Sequence, residues 1–160
     1  MREIDVLVVG AGPGGMSAAQ YAARAGYSTL VLDPMGPGGQ LLFIDEIENY
    51  PGLGKISGYF LSESMENQCK EFGVEIEYDE VKKIEKKDNR FLVTSSYSDI
   101  KAKAVIIATG ASHRHIGAKG EEEYSGRGVS YCATCDGPFF RGQKVVVVGG
   151  GDTALTDAMY

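Results

Sequence analysis

The feature that most restricts how this chain can fold is a glycine turn set between a short apolar strand and an alanine-rich helix. Asp5-Val6-Leu7-Val8-Val9 is a nearly unbroken apolar run with β-branched residues, the pattern of a parallel strand covered on both faces. Gly10-Ala11-Gly12-Pro13-Gly14-Gly15 follows, with Gly10, Gly12 and Gly15 in G-x-G-x-x-G spacing, and residues 16–25 contain no helix breaker. A second strand over 28–32 ends in Asp33. That carboxylate lies about 20 residues beyond the glycines, where it can accept hydrogen bonds from a ribose. Gly10 permits the tight turn, Gly12 lets the backbone approach a pyrophosphate, and Gly15 lets the helix lie close to the strand. Pro13 presets φ at a helix start, and the helix N-terminus offers the partial positive charge that a diphosphate needs. Strand, turn, helix and acid in that order predict a dinucleotide-binding α/β unit.

The same grammar returns later. Residues 144–148 read as another apolar strand, and Gly149-Gly150-Gly151-Asp152-Thr153-Ala154 as a G-x-G-x-x-A turn. Tyr160 then falls in the first helix of this second unit, ahead of any strand that would carry a ribose acid or a 2'-phosphate arginine. These 160 residues by themselves are therefore expected to show little or no nicotinamide-dependent turnover.

Between the two turns lies Cys132-Ala133-Thr134-Cys135, followed at once by Asp136. Three cysteines are too few, and odd in number, for a secreted disulfide framework; in a cytosolic chain a Cys-x-x-Cys pair signals redox chemistry or metal. His113 and His115 could complete four zinc ligands with the pair. The spacing is not that of a compact finger, however, and both histidines sit in a polar linker, so no metal is expected. With 43% hydrophobic and 24% charged residues, the composition is that of a globular protein. A net charge of −6, from 16 basic and 22 acidic residues, supplies no electrostatic footprint for nucleic acid or an anionic membrane. The apolar start spans only residues 4–9, against the roughly 20 needed to cross a bilayer. A cytoplasmic protein with no nucleic-acid or membrane partner is expected.

Gly36-Pro37-Gly38-Gly39-Gln40 and Glu48-Asn49-Tyr50-Pro51-Gly52 mark a long loop of the kind that carries ligand contacts. Phe60, Leu61, Met65 and Phe72 recur at helical spacing and predict an amphipathic surface helix over 57–72, with Cys69 as a small buried or half-buried hydrophobe rather than a third redox thiol. Segments 74–78, 83–85, 91–94 and 103–108 read as strands forming an antiparallel meander inserted into the nucleotide-binding sheet. The last runs into Ala108-Thr109-Gly110, a small-residue turn where backbone can approach a ligand.

Taken together with Gly39-Gln40-Leu41, Glu48-Asn49-Tyr50-Pro51-Gly52, Ala108-Thr109-Gly110-Ala111 and Gly126-Arg127-Gly128-Val129-Ser130, these motifs resemble, in order, the N-terminal portion of the low-molecular-weight thioredoxin reductases. That family belongs to the FAD-dependent pyridine nucleotide-disulfide oxidoreductases. The resemblance implies a Rossmann-like FAD-binding domain, first segment at residues 1–112, and the start of a second Rossmann-like NADPH-binding domain at 113–160 that carries the redox disulfide. It implies cofactor contacts at Gly10, Gly12, Pro13, Gly14, Gly15, Asp33, Gly39, Gln40, Asn49, Val81, Ala108, Thr109 and Gly110 for FAD, and at Gly149, Gly151, Asp152 and Thr153 for NADPH. Asp33 is shorter than the Glu common at that place in the family. Electrons would pass from NADPH through FAD to a Cys132–Cys135 disulfide and on to thioredoxin or a related disulfide protein. Cys135 would face the flavin, Cys132 would attack the partner, and Asp136 would move protons. Residues 111–119 resemble one of two hinge strands, and a homodimer is the family habit. Two other readings are a reductase of a glutaredoxin-like or peroxidase partner and an inactive FAD-domain fragment.

Overall fold

The β-branched run at the N-terminus forms the centre of a sheet. The computed structural model describes all 160 residues and divides into two units, Met1–Ala111 and Ser112–Tyr160.

In the first unit, β1 (Arg2–Val9) pairs in parallel with β2 (Thr29–Leu32) on one side and with β6 (Asp99–Ile107) on the other. Alternate residues of β1 feed two cores, as a strand covered on both faces requires. Leu7 joins Leu30, Leu32, Val93 and Ile100, while Val8 joins Met16, Ala19, Val31, Cys69 and Val74 beneath the helices. α1 (Pro13–Arg24) begins inside the glycine turn, with Pro13 in its first turn and Gly12 as N-cap.

α2 (Gly58–Glu71) is capped by the Ser57 hydroxyl, which accepts from the Phe60 amide at 3.2 Å. Its buried stripe is Gly58, Leu61, Ser62 and Cys69, with Met65 partly buried. Phe60 is 59% exposed and Phe72 is exposed as well, so both lie off the stripe expected to bury them. Gly58 is tightly constrained, because a Cβ there would stand 1.8 Å from the Leu41 carbonyl oxygen. Cys69 is fully buried, as anticipated, and its thiol donates to the Met16 carbonyl at 3.3 Å.

The strands after α2 form one six-stranded sheet with β1 and β2, in the order β3-β2-β1-β6-β5-β4. β4 (Val81–Lys87), β5 (Arg90–Ser95) and β6 form an antiparallel meander, but β6 joins it through Asp99–Ala102, ahead of the 103–108 expected, and its later residues pair in parallel with β1. β3 (Glu75–Glu77) does not belong to it, since it pairs in parallel with β2 at the far edge. A helix separating two strands returns the chain in the same direction, and α2 makes β2-α2-β3 such a crossover.

In the second unit, α3 (Ala133–Asp136) runs into a 3-10 turn at Gly137–Phe140, and α4 (Asp152–Met159) follows Gly151 as N-cap. The strand expected at 144–148 is not formed. Val145, Val146, Val147 and Val148 are all exposed and belong to no sheet. An extended segment becomes a strand only when a neighbour takes up its N–H and C=O groups. No helix of the protein is long and apolar enough to cross a membrane.

Candidate functional site

The first site is assembled at the C-terminal ends of β1, β2 and β6, where ligands bind in open α/β sheets. Gly10 lies at φ +107°, and a Cβ there would fall 2.2 Å from the Ala108 carbonyl oxygen. Gly15 is equally closed, with a Cβ meeting the Gly10 carbonyl oxygen at 1.9 Å. Those two glycines bind the turn to β6 and the helix to the turn. Gly12 and Gly14 are the opposite case, since a Cβ on either would meet nothing within 4 Å. Between the closed glycines is therefore an open cradle over the start of α1. No side chain caps that helix and no acidic residue stands in its first turn, so its positive end is left to an anion.

Asp33 closes the second side. Its Oδ2 accepts from the Ala11 amide at 2.8 Å, and its Oδ1 accepts from Met35 at 2.8 Å and Gly36 at 3.1 Å. A carboxylate has about four acceptor positions, so room remains for a ribose hydroxyl. The Gly38 amide donates to the Ala11 carbonyl at 2.9 Å, and a Cβ on Gly39 would come within 3.2 Å of the Gly12 Cα. The Gln40 side-chain amide donates to the Ala111 carbonyl, next to Gly110. Ala108 is anchored through its amide to the Val9 carbonyl at 2.8 Å. Gly10, Gly12, Pro13, Gly14, Gly15, Asp33, Gly39 and Ala108 thus come together, with Gln40 bonded to the chain beyond β6. Thr109 and Gly110 are exposed just after β6, and Val81 opens β4, packed against the Leu7 core. Asn49 is exposed in the loop and no contact ties it to the cradle.

The second site lies in the other unit. Cys132 and Cys135 are joined by a disulfide with Cα atoms 5.3 Å apart. Cys132 is the N-cap of α3, and the Cys135 amide donates to its Sγ at 3.2 Å. Ser130 ends one of the motifs of the sequence but carries no assigned role there, and its hydroxyl bridges the pair to the acid. Its Oγ accepts from the Cys132 amide at 3.1 Å and donates to Asp136 Oδ2 at 2.5 Å. A hydroxyl residue two positions before a turn is the available sequence signal, because Ser and Thr bond to nearby backbone. His113 stacks on Tyr131 with ring centres 4.5 Å apart, and His115 stands 3.3 Å from Glu121.

The third group is the turn at Gly149-Gly150-Gly151. Gly149 lies at φ +139°, and Gly150 and Gly151 face open space. Asp152 and Thr153 begin α4, and Asp152 places a carboxylate in its first turn, which the first glycine turn avoids.

Residues 4–160 match the family model described as pyridine nucleotide-disulphide oxidoreductase. The chain is 52% identical over 158 residues to a thioredoxin reductase of Treponema pallidum, covering 98% of this chain and 52% of that one. It is 49% identical over 156 residues to a thioredoxin reductase of Listeria monocytogenes, covering 98% of this chain and 49% of that one. Among solved structures, the thioredoxin reductase of Streptococcus pyogenes superposes with a TM-score of 0.92 at 48% identity, over 99% of this chain and 52% of that one. The chain belongs to the pyridine nucleotide-disulphide oxidoreductase family. It spans about half the length of the curated relatives it matches.

Proposed function

We propose that this chain carries the flavin cradle and the redox disulfide of an NADPH-dependent thioredoxin-disulfide reductase. The observation that carries the reading is the Cys132–Cys135 disulfide with Asp136 tied to it through Ser130, in a chain whose other unit holds an open dinucleotide cradle. Residues 1–112 act as the first segment of the FAD-binding domain, and 113–160 as the start of the NADPH-binding domain. The fit to FAD rests on the open positions at Gly12 and Gly14, the uncapped start of α1 and the Asp33 carboxylate. Bound FAD would supply an electron pair drawn from NADPH.

The chain's own residues do the rest. Reduction of the disulfide breaks the S–S bond, and two electrons and two protons leave two thiols. The Cys132 thiolate attacks a sulfur of the partner disulfide, forming a mixed disulfide and releasing one partner thiolate. The Cys135 thiolate then attacks Cys132 Sγ, which closes the internal disulfide and frees the second partner thiol. The Cys135 amide, 3.2 Å from Cys132 Sγ, is in place to stabilise a thiolate there. Asp136 takes and returns the protons, oriented by the Ser130 hydroxyl.

The partner is thioredoxin or a related disulfide protein, the working form a homodimer, and the compartment the cytoplasm. In the reductase that carries this chain, Cys135→Ser should abolish NADPH-driven reduction of a thioredoxin disulfide while NADPH still bleaches the flavin. Retention of thioredoxin reduction by that variant would refute the assignment.

A further inference from the structure

Glu121 is the most heavily engaged side chain of the second unit. The residue is 6% exposed, whereas its neighbours Glu122 and Glu123 lie in solvent. Oε1 accepts from the Ile116 amide at 3.1 Å and from the Tyr131 hydroxyl at 2.6 Å, and lies 3.3 Å from His115 Nδ1. Oε2 accepts from the amides of Gly117 at 2.8 Å and Ala118 at 3.2 Å. A carboxylate removed from water is costly unless its oxygens are bonded, and these are fully bonded.

The donors come from two separate stretches. Ile116, Gly117 and Ala118 belong to the segment that begins the second unit, and Tyr131 is the residue before Cys132. Tyr131 is gripped again by the His113 ring, stacked at 4.5 Å with planes 3° apart, and by the edge of His115 at 5.9 Å. One carboxylate and two imidazoles thus clasp the residue before the redox pair to the segment at 113–118.

We propose that Glu121 is a positioning residue for the redox pair: through the Tyr131 hydroxyl it fixes the backbone of Cys132, and so keeps the two sulfurs at closing distance after the disulfide has been reduced. This rests on the reading of Cys132–Cys135 as a redox pair. Closing the disulfide removes one proton from each thiol and passes two electrons to an oxidant, here the disulfide of a glutathione buffer. Its equilibrium constant depends on the effective concentration of one thiol at the other. Loosening Tyr131 lowers that concentration and makes the internal disulfide easier to reduce.

The full chain is equilibrated in glutathione redox buffers, quenched with an alkylating reagent and weighed by mass spectrometry, for the native sequence, Glu121→Gln and Tyr131→Phe. Amide exchange at Ile116, Gly117 and Ala118 is followed in parallel. Both variants should lower the equilibrium constant for disulfide closure, Glu121→Gln by about tenfold, which for a two-electron couple is about 30 mV. Only Glu121→Gln should expose the three amides. If the amides open and the equilibrium does not move, the carboxylate is a loop cap alone and the proposal is wrong. A shift in Glu121→Gln with none in Tyr131→Phe also overturns it, because transmission through the hydroxyl is the claim. Should Glu121→Gln fail to fold, Tyr131→Phe decides. A native pair that does not equilibrate reversibly would remove the redox reading as well, whereas a reversible pair insensitive to both changes would remove the clasp alone.

Discussion

A methyl group added at Gly10 and one added at Gly12 should have opposite consequences, although the two positions lie in the same turn. At Gly10 the new Cβ would fall 2.2 Å from the Ala108 carbonyl oxygen and 2.7 Å from its carbon, both backbone atoms of a central strand end. The residue also lies at φ +107°, where an L side chain costs about 1–2 kcal/mol. Relief of the clash needs β1 and β6 to separate locally, an overpacking cost of about 1–3 kcal/mol. The expected loss for Gly10→Ala is therefore about 2–5 kcal/mol, a large share of the ~5–15 kcal/mol typical of a domain. Gly12 lies at φ −72°, ψ 178°, which alanine adopts without strain, and its Cβ meets nothing. Gly12→Ala should stay within about 1 kcal/mol of the native sequence, since the gain from a stiffer unfolded chain and the loss of a glycine N-cap oppose each other. Urea unfolding followed by far-ultraviolet circular dichroism measures both. Equal destabilisation of the two variants would refute the division of this turn into a structural and a ligand-facing glycine.

Asp33→Ala leaves the buried Ala11 amide without its acceptor and Gly36 with only its longer bond to the residue-33 carbonyl, and urea unfolding should show a loss of about 1–3 kcal/mol, with Asp33→Asn losing less. Acid should loosen both units from carboxylates whose titration is depressed by folding. The Tyr131 hydroxyl, with the amides of Ile116, Gly117 and Ala118, holds Glu121 down to about 2 from an ordinary 4.5, and Lys103 with Ser28 holds Asp5 at about 2 from 3.8. Because both values are lowered, the stability they confer is complete above the ordinary value and disappears as pH falls toward 2. Protection of the amides at 116–118 against exchange, relative to the unstructured rate at each pH, should fall across that window, with Tyr131, His113 and His115 also facing the site, and the fall should be absent in Glu121→Gln. Burial raises the Cys69 thiol, so a thiol reagent should find no free thiol in the native oxidised chain, two after mild reduction and three only after unfolding.

Much of the first unit was legible because its local signals agree with its packing. β1, α1, β2 and Asp33 follow from turn chemistry and an unbroken apolar strand, and the helical spacing of Leu61 and Met65 marks α2. The direction of β3 was not legible, since three residues, Glu75, Ile76 and Glu77, carry no mark of whether their neighbour is parallel. That is set by the α2 crossover. Only 83–85 of β4 signals itself, because Lys82, Lys83, Lys86 and Lys87 surround a lone Ile84 on an edge strand. Residues 144–148 have every local property of a strand, yet strand formation requires a partner that composition does not report. At the sites, Cys132, Cys135 and the glycines are named by spacing. Ser130 and Glu121 are not, because Glu121 stands in a run of three glutamates and only the fold shows which one is taken out of water.

The most direct test is to mix the chain with FAD, remove free flavin on a desalting column and record the visible spectrum, with riboflavin as the control that lacks the diphosphate. Flavin absorbance retained near one FAD per chain, absent with riboflavin and lost in Gly12→Val, is the expected result. Equal retention of riboflavin, or FAD retained undiminished in Gly12→Val, would contradict the assignment of the open glycine cradle to the diphosphate of a dinucleotide.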